Sequence, residues 1–278
     1  MVQNTQTPDY QELESLAKKI RARLVVMSHR TGAAHLGGAL SCVDIIVACY
    51  WALMNVDPRK AFDPGRDRLI FSKGHAIATL YVALAMKGFY PEDLLDSYAQ
   101  CGSKLAEHPA PYCVPGLEVA TGSLGHGLPV GLGMAMAGAI NHVPYNVFVV
   151  MSDGECNEGS VWEAAMLAPA RSIENLVVFV DYNRWQATGR SEEIMALPSL
   201  RQKWEAFGWN AYDVDGHDIR ALVDAVRQAP RGDGKPVAVV AHTVKGKGVS
   251  FMEDDNNWHY RIPNEEEVQK ALKELGQL

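Results

Sequence analysis

Asp153 and Asn183 are the two side chains of this 278-residue chain whose types and placing point most directly to chemistry. Each follows a run of apolar residues: Asn146 to Met151 reads NVFVVM, and Leu176 to Val180 reads LVVFV. Continuous apolar runs of this length read as strands buried on both faces. The two residues lie about one strand–helix–strand unit apart, so a parallel sheet brings them to adjacent strand ends. A carboxylate and an amide oxygen suit a hard cation. Mg²⁺ takes oxygens in octahedral geometry and commonly shares them with phosphate. Alone, either residue reads equally as a turn former; the spacing and strand context favour metal ligation.

Other segments fit a diphosphate beside such a metal. Thr121 to Gly127 reads TGSLGHG and precedes a small-residue segment that ends at Ile140. Glycines let backbone N–H groups approach a phosphate, and a helix start favours negative charge. Tight packing alone explains that loop as well. Four histidines fall in loop-like settings: His35 (AAHLGG), His75 (SKGHA), His108 (AEHPAP) and His259 (NNWHY). A single histidine is more often structural, whereas four such residues suit reading hydroxyls or moving protons. Glu158 opens the helix after the metal loop and complements its dipole. His217, in DGHD, reads mainly as a turn or capping residue. Lys245 to Gly248 fits either an anion contact or a solvated loop.

The elements that must position these groups follow from periodicity. Tyr10 to Met27 predicts a helix, and Ser41 predicts the N-cap of a second helix to about Leu53. Arg68 to Phe71 reads as a short strand, with a turn at Ser72 to His75. Ala76 to Lys87 is a helix stopped by Gly88, and Pro91 starts another. Residues 101–121, rich in proline and glycine, read as an ordered loop. Leu124 to Ile140 predicts a buried helix packed closely on a sheet.

Beyond this point strands and helices alternate. Strands are predicted at 146–151, 176–180, 210–214 and 237–241. Helices are predicted at 159–171, 198–207, 218–228 and from about Asn264. The pattern defines an α/β fold, a parallel sheet flanked by helices on both faces. No repeat, low-complexity tract or linker divides the chain. The expectation is one domain over residues 1–278, with a helical N-terminal portion at about 10–110. In such sheets ligands bind at the carboxyl ends of the strands. Asp153, Asn183, His217 and Lys245 each follow a predicted strand.

Composition narrows the class. A net charge of −7 and a pI near 5.7, with no basic stripe, argue against nucleic-acid binding. Five cysteines without paired spacing fit reduced thiols and a cytoplasmic setting. The polar start MVQNTQTPDY does not read as a signal peptide. The segment from Gly127 to Ile140 is too short and glycine-rich to span a bilayer, so no membrane association is expected.

Taken in order, these motifs resemble the N-terminal, cofactor-diphosphate portion of the transketolase family. The stretches that carry the resemblance are AAHLGG, DRLIFSKGHA, AEHPAP, TGSLGHG, SDGECNEGSVWEA, VDYNRWQATG, WNAYDVDGHD, AHTVKGKG and NNWHYRIP. They run from about residue 10 to 275. The resemblance implies a thiamine diphosphate-binding domain of the diphosphate (PP) type. It implies Mg²⁺, with Ca²⁺ or Mn²⁺ as substitutes, held by the Asp153 and Asn183 side chains and the Trp185 carbonyl. His75, Gly122, Ser123, Leu124, Gly154, Asn183 and His259 are the implied cofactor contacts. His35, His108 and His259 are the implied catalytic residues around the donor sugar, with proton handling assigned to His35 and His259. The cofactor supplies the carbon nucleophile, and the protein supplies orientation and proton transfer.

Six positions depart from the family's usual pattern: Ala34, Leu36, His126, Ser152, Tyr260 and Arg261. The pair Tyr260–Arg261 is the one expected to alter the substrate channel. The part of a transketolase that holds the pyrimidine ring and its activating glutamate has no counterpart in this sequence. A companion subunit carrying the pyrimidine-binding and C-terminal domains is therefore expected, in an α2β2 heterotetramer. The substrates would be sugars, phosphorylated or sulfonated, within carbohydrate metabolism. Two alternatives are the α subunit of a 2-oxo acid dehydrogenase E1 component, or another decarboxylating relative, and a non-catalytic assembly or cofactor-storage protein. The three sugar-facing histidines count against the first, and the intact ligand set counts against the second.

Overall fold

A computed structural model describes residues 7–278, so the polar N-terminal segment noted above begins outside the described residues. The elements, in chain order, are helices α1 (Tyr10–Thr31), α2 (Leu36–Ser41) and α3 (Val43–Val47), strand β1 (Arg68–Phe71), and helices α4 (Ala78–Lys87) and α5 (Gly127–Ile140). Then come β2 (Val147–Ser152), α6 (Gly159–Ala170), β3 (Leu176–Tyr182), α7 (Ser191–Met195) and α8 (Leu200–Ala206). The chain continues through β4 (Asn210–Asp215), α9 (Ile219–Arg227), β5 (Val237–His242) and α10 (Glu265–Glu274).

The five strands form one parallel sheet in the order β1-β2-β3-β5-β4. Alternate residues of each strand face opposite layers. Leu69, Phe71, Phe148, Val150, Val177, Phe179, Val237 and Val239 pack into the layer of α1, α3, α4 and α9. Ile70, Val147, Val149, Met151, Val178, Val180, Ala238 and Val240 face α5, α6 and α8. Both faces are thus covered, which is why the strands read as unbroken apolar runs. At Gly131 an added Cβ would lie 2.6 Å from Val149 Cγ2, so α5 approaches the sheet more closely than an alanine would allow.

Four local predictions need correction. Ser41 ends α2 instead of opening a longer helix, because its hydroxyl donates to Asp181 Oδ2 at 2.6 Å and leaves no cap. Residues Ala48–Leu53 form a π-helical turn, not a continuation of α-helix. Pro91 precedes a 3₁₀ segment, Glu92–Ser97, rather than an α-helix. Helix α5 is also not wholly buried: Val130 and Ile140 lie on its exposed side. Gly88 takes the left-handed conformation that closes α4, and Asn264 and Glu267 form the capping box of α10.

Candidate functional site

The site is built at the carboxyl ends of β1, β2, β3 and β5. A cavity of about 340 Å³ is lined by His75, His108, Gly122, Leu124, Gly154, Asn183, Trp185 and His259, which the sequence singled out. Gly38, Lys73, Asn157, Gln186 and Lys245 also line it. Of the remaining predicted residues, His35 joins the histidine cluster below. Asp153 lines a neighbouring cavity of about 200 Å³. Ser123 is exposed and lines a separate hollow with Thr121 and His126.

The metal candidates occupy a tightly tied turn. Among the described residues, the Asp153 carboxylate accepts hydrogen bonds from neutral donors: Gly154 N at 2.9 Å, Arg184 N at 3.0 Å and Ser191 Oγ at 2.8 Å. Burial pushes its pKa up to about 6, against the hydrogen bond from Ser191. Arg184 sits at φ 66°, a strained conformation for a residue with a side chain. That turn places Asn183 and Trp185 on either side of the Asp153 contact. Asn183 Oδ1 accepts from Trp185 N at 3.0 Å, and its Nδ2 donates to Ser41 Oγ at 3.3 Å.

Beneath Asn183 lies a buried ionic cluster with no local sign in the sequence. Lys73 pairs with Asp181, and both side chains are almost fully buried. Lys73 Nζ also donates to Gly38 O at 2.9 Å, while Ser41 and Thr243 hydroxyls donate to the Asp181 carboxylate. Burial opposes the charge on Lys73, but Asp181 outweighs it and holds the pKa above its ordinary value. Glu155 performs a similar service for the glycine loop. It is fully buried and accepts from Ser72 Oγ, from Gly125 N at 2.8 Å and from Ser152 N at 3.4 Å. It thus ties loop 121–127 to the ends of β1 and β2.

The histidines converge. The His35 ring centroid lies 5.7 Å from that of His75, 6.4 Å from His108 and 5.0 Å from His259. His35 has φ 67°, and its backbone N donates to His259 O at 2.8 Å. Burial, then Lys245, His35 and Lys73, lowers the His259 pKa to about 3. Burial likewise lowers those of His35 and His75, the latter with help from Lys73. These three imidazoles are neutral near pH 7, each with one ring nitrogen as donor and the other as acceptor. Tyr260 stands edge-on to His259 at 4.6 Å and is mostly exposed.

Lys245 is not a solvated loop residue. It is 2% exposed, and its Nζ contacts two neutral groups, Asn256 Oδ1 at 2.6 Å and His259 Nδ1 at 3.2 Å. Burial, then Lys73, lowers its pKa to about 8. His217 lies away from this cavity, on the wall of a wider cleft of about 980 Å³ with mixed-charge lining.

The residues present fit a diphosphate-bearing cofactor and a metal. On the cavity wall the buried polar atoms Asn157 Oδ1 and Gln186 Nε2 lack a hydrogen-bond partner, as does Nδ1 of His35 in the histidine cluster. Gly122, at φ 141°, brings backbone to the wall where an added Cβ would lie 2.6 Å from His108. The buried Lys245 ammonium and the buried Asp153 carboxylate, both at strand carboxyl ends, supply the charges an anion and a cation need.

Fold and site together define a thiamine diphosphate-binding domain. The chain belongs to the transketolase family: residues 13–277 match the family described as transketolase, thiamine diphosphate binding domain. It is 42% identical over 265 residues to one subunit of the apulose-4-phosphate transketolase of Phocaeicola vulgatus, covering 95% of this chain and 94% of that one. It is 40% identical over 264 residues to the 6-deoxy-6-sulfo-D-fructose transketolase subunit SqwG of a Clostridium species, covering 95% and 96%. The transketolase of Leishmania mexicana superposes with a TM-score of 0.89 at 27% identity. That alignment covers 95% of this chain, which spans 41% of the Leishmania chain. The dehydrogenase E1 alternative is not favoured, since these relatives are all transketolases. Among the described residues, no helix is long and apolar enough to cross a membrane.

Proposed function

We propose that this chain is the diphosphate-binding subunit of a Mg²⁺- and thiamine diphosphate-dependent transketolase, moving a two-carbon ketol unit from a ketose donor to an aldose acceptor. The observation that carries the reading is the packing of four imidazoles, from His35 to His259, over a cavity with Asn183 and Gly122 on its wall. Thiamine diphosphate, when bound, supplies a carbon nucleophile for cleaving the bond beside a ketose carbonyl.

The chain's own groups then have separable tasks. Asp153, Asn183 and the Trp185 carbonyl hold the metal; Ca²⁺ or Mn²⁺ could replace Mg²⁺. Backbone from Gly122 to Leu124, Gly154, His75 and Lys245 hold and orient the diphosphate. The neutral rings of His35 and His259 take and return the hydroxyl proton of the donor, and His108 positions the sugar.

The names of the relatives support a companion polypeptide. The two apulose-4-phosphate transketolase relatives are each named as one subunit of their enzyme, and they are matched over 94% and 96% of their length. The companion would supply the pyrimidine pocket, in an α2β2 assembly, with the present chain acting as one domain in the cytoplasm. Phosphorylated and sulfonated sugars are the proposed substrates, because relatives named for each are about equally similar. The test is reconstitution with the companion, followed by assays on donor ketoses and on 2-oxo acids. Turnover of ketoses only by the pair is expected. Robust turnover by the isolated chain, or preference for 2-oxo acids, would overturn the reading.

A further inference from the structure

We infer that His217 is a positioning residue: it anchors the backbone of Val244 and so aims Lys245 into the cofactor cavity. The inference rests on the reading of Lys245 as an anion contact. His217 is in the turn between β4 and α9 and does not line the cavity itself. Its two ring nitrogens are both engaged. Val244 N lies 2.8 Å from Nε2, and Asp44 Oδ2 lies 2.7 Å from Nδ1. A backbone N–H can only donate, so Nε2 must accept. The proton therefore sits on Nδ1 and is donated to Asp44, which defines a neutral ring in one tautomer.

Asp44 is itself held. Arg21 reaches it with NH1 at 3.1 Å and NH2 at 2.5 Å, and Arg21 and Asp44 are 5% and 4% exposed. A relay of Arg21 on α1, Asp44 on α3 and His217 thus ends on the amide next to Lys245. Asp44 and His217 are 173 positions apart, so the relay exists only in the folded chain.

Other tethers hold the same loop: the Thr243 hydroxyl donates to Asp181, Thr243 N to Tyr182 O at 3.2 Å and Gly248 N to Glu253 Oε1 at 3.0 Å. Two more are backbone to backbone around Lys245. Asp254 N donates to Lys245 O at 2.8 Å, and Gly246 N donates to Gly37 O at 2.9 Å. They fix the loop on the side of α2 and the C-terminal segment. On the opposite, β5 side the His217 bond holds the Val244 amide itself, between Thr243, which is tied to Asp181, and Lys245. Removing it frees the residue before Lys245 to turn. The ammonium then no longer needs to meet Asn256 and His259. An imidazole is suited to this task because one nitrogen accepts while the other is locked as donor by the carboxylate.

Three variants test the idea: His217→Ala, His217→Gln and Lys245→Met. The glutamine amide oxygen can occupy the Nε2 position and accept from Val244. Binding of thiamine diphosphate with Mg²⁺ to the full chain is measured by calorimetry. His217→Ala is expected to weaken binding roughly fivefold or more, the loss of one buried hydrogen bond, and His217→Gln to restore most of it. The double variant His217→Ala/Lys245→Met is expected to bind no more weakly than Lys245→Met alone, because both changes remove one contact. Multiplying effects would overturn the inference. Wild-type binding by Lys245→Met would overturn the anion reading beneath it. Crystal structures of both His217 variants decide the geometry without any cofactor: Lys245 Nζ is expected to leave Asn256 in the alanine variant and stay in the glutamine one. An unmoved Nζ in the alanine variant would refute the tether.

Discussion

Neutralising one member of the Lys73–Asp181 pair should destabilise the whole chain and weaken the site above it. Side-chain exposures of 1% and 0% make this a fully desolvated pair. Deleting one partner of such a pair costs about 3–5 kcal/mol, because the other charge stays buried and uncompensated. The surroundings order the two possible changes. With Lys73→Met, Asp181 keeps donors from Ser41 and Thr243 and, at 3.4 Å, from Asn183. With Asp181→Asn, the Lys73 ammonium keeps Gly38 O at 2.9 Å as its main acceptor. The asparagine variant should therefore fall near the top of that range and the methionine variant near the bottom. With an unfolding entropy of roughly 2.1 cal/mol/K per residue, 278 residues convert those costs into a Tm loss of about 5–9 °C. Differential scanning calorimetry of the cofactor-free chain reads this directly. The double variant Lys73→Met/Asp181→Asn should lose clearly less than the sum of the singles. Single-variant losses under about 2 °C, or strict additivity in the double, would refute the assignment of a charged, mutually dependent pair.

Three further outcomes follow from the same geometry. Asn183→Ala should weaken Mg²⁺-dependent thiamine diphosphate binding by at least about tenfold, since even indirect partners of a metal are worth that much; calorimetric affinity equal to wild type would count against the ligand role. His259 has its pKa lowered from 6.5 to about 3, so the unfolded chain binds its proton first. Its contribution to stability is complete above pH 6.5 and is lost as pH falls toward 3; denaturant curves at pH 7 and pH 5 should therefore show a larger loss for wild type than for His259→Gln. Cys42, Cys49 and Cys156 are buried with raised pKa values. Of the five thiols, only Cys101 and Cys113 should react quickly with a thiol reagent in the native chain, and all five after unfolding.

The strand-end residues were legible because parallel strands covered on both faces leave long apolar runs, and a polar residue after such a run marks a ligand-binding edge. Asp153, Asn183 and Lys245 all follow that logic. Ser41 misled because serine before an apolar segment carries the same local signature whether it caps a helix or donates to a distant carboxylate. The π-helical turn at 48–53 leaves no mark in periodicity that distinguishes it from an α-helix end. Lys73 and Asp181 stand 108 positions apart, and neither run around them shows that the other exists.

By itself the sequence determined the α/β class, the parallel strands and the loops that carry chemistry, because these depend on local periodicity and punctuation. The tertiary structure decided the strand order, with β5 inside and β4 at the edge. It also decided which histidines meet: His35, His75, His108 and His259 come together, whereas His217 turns away to Asp44 and Val244. Burial and the neighbouring lysines, which set the lowered pKa values in the cluster and the fit for an anion, belong to that packing. They arise from contacts between segments far apart in the chain, and such contacts have no local signature. Asp153 and Asn183 therefore suggest a cation from sequence alone, while the folded arrangement of Lys73, Lys245 and the imidazoles is what supports the proposed cofactor site.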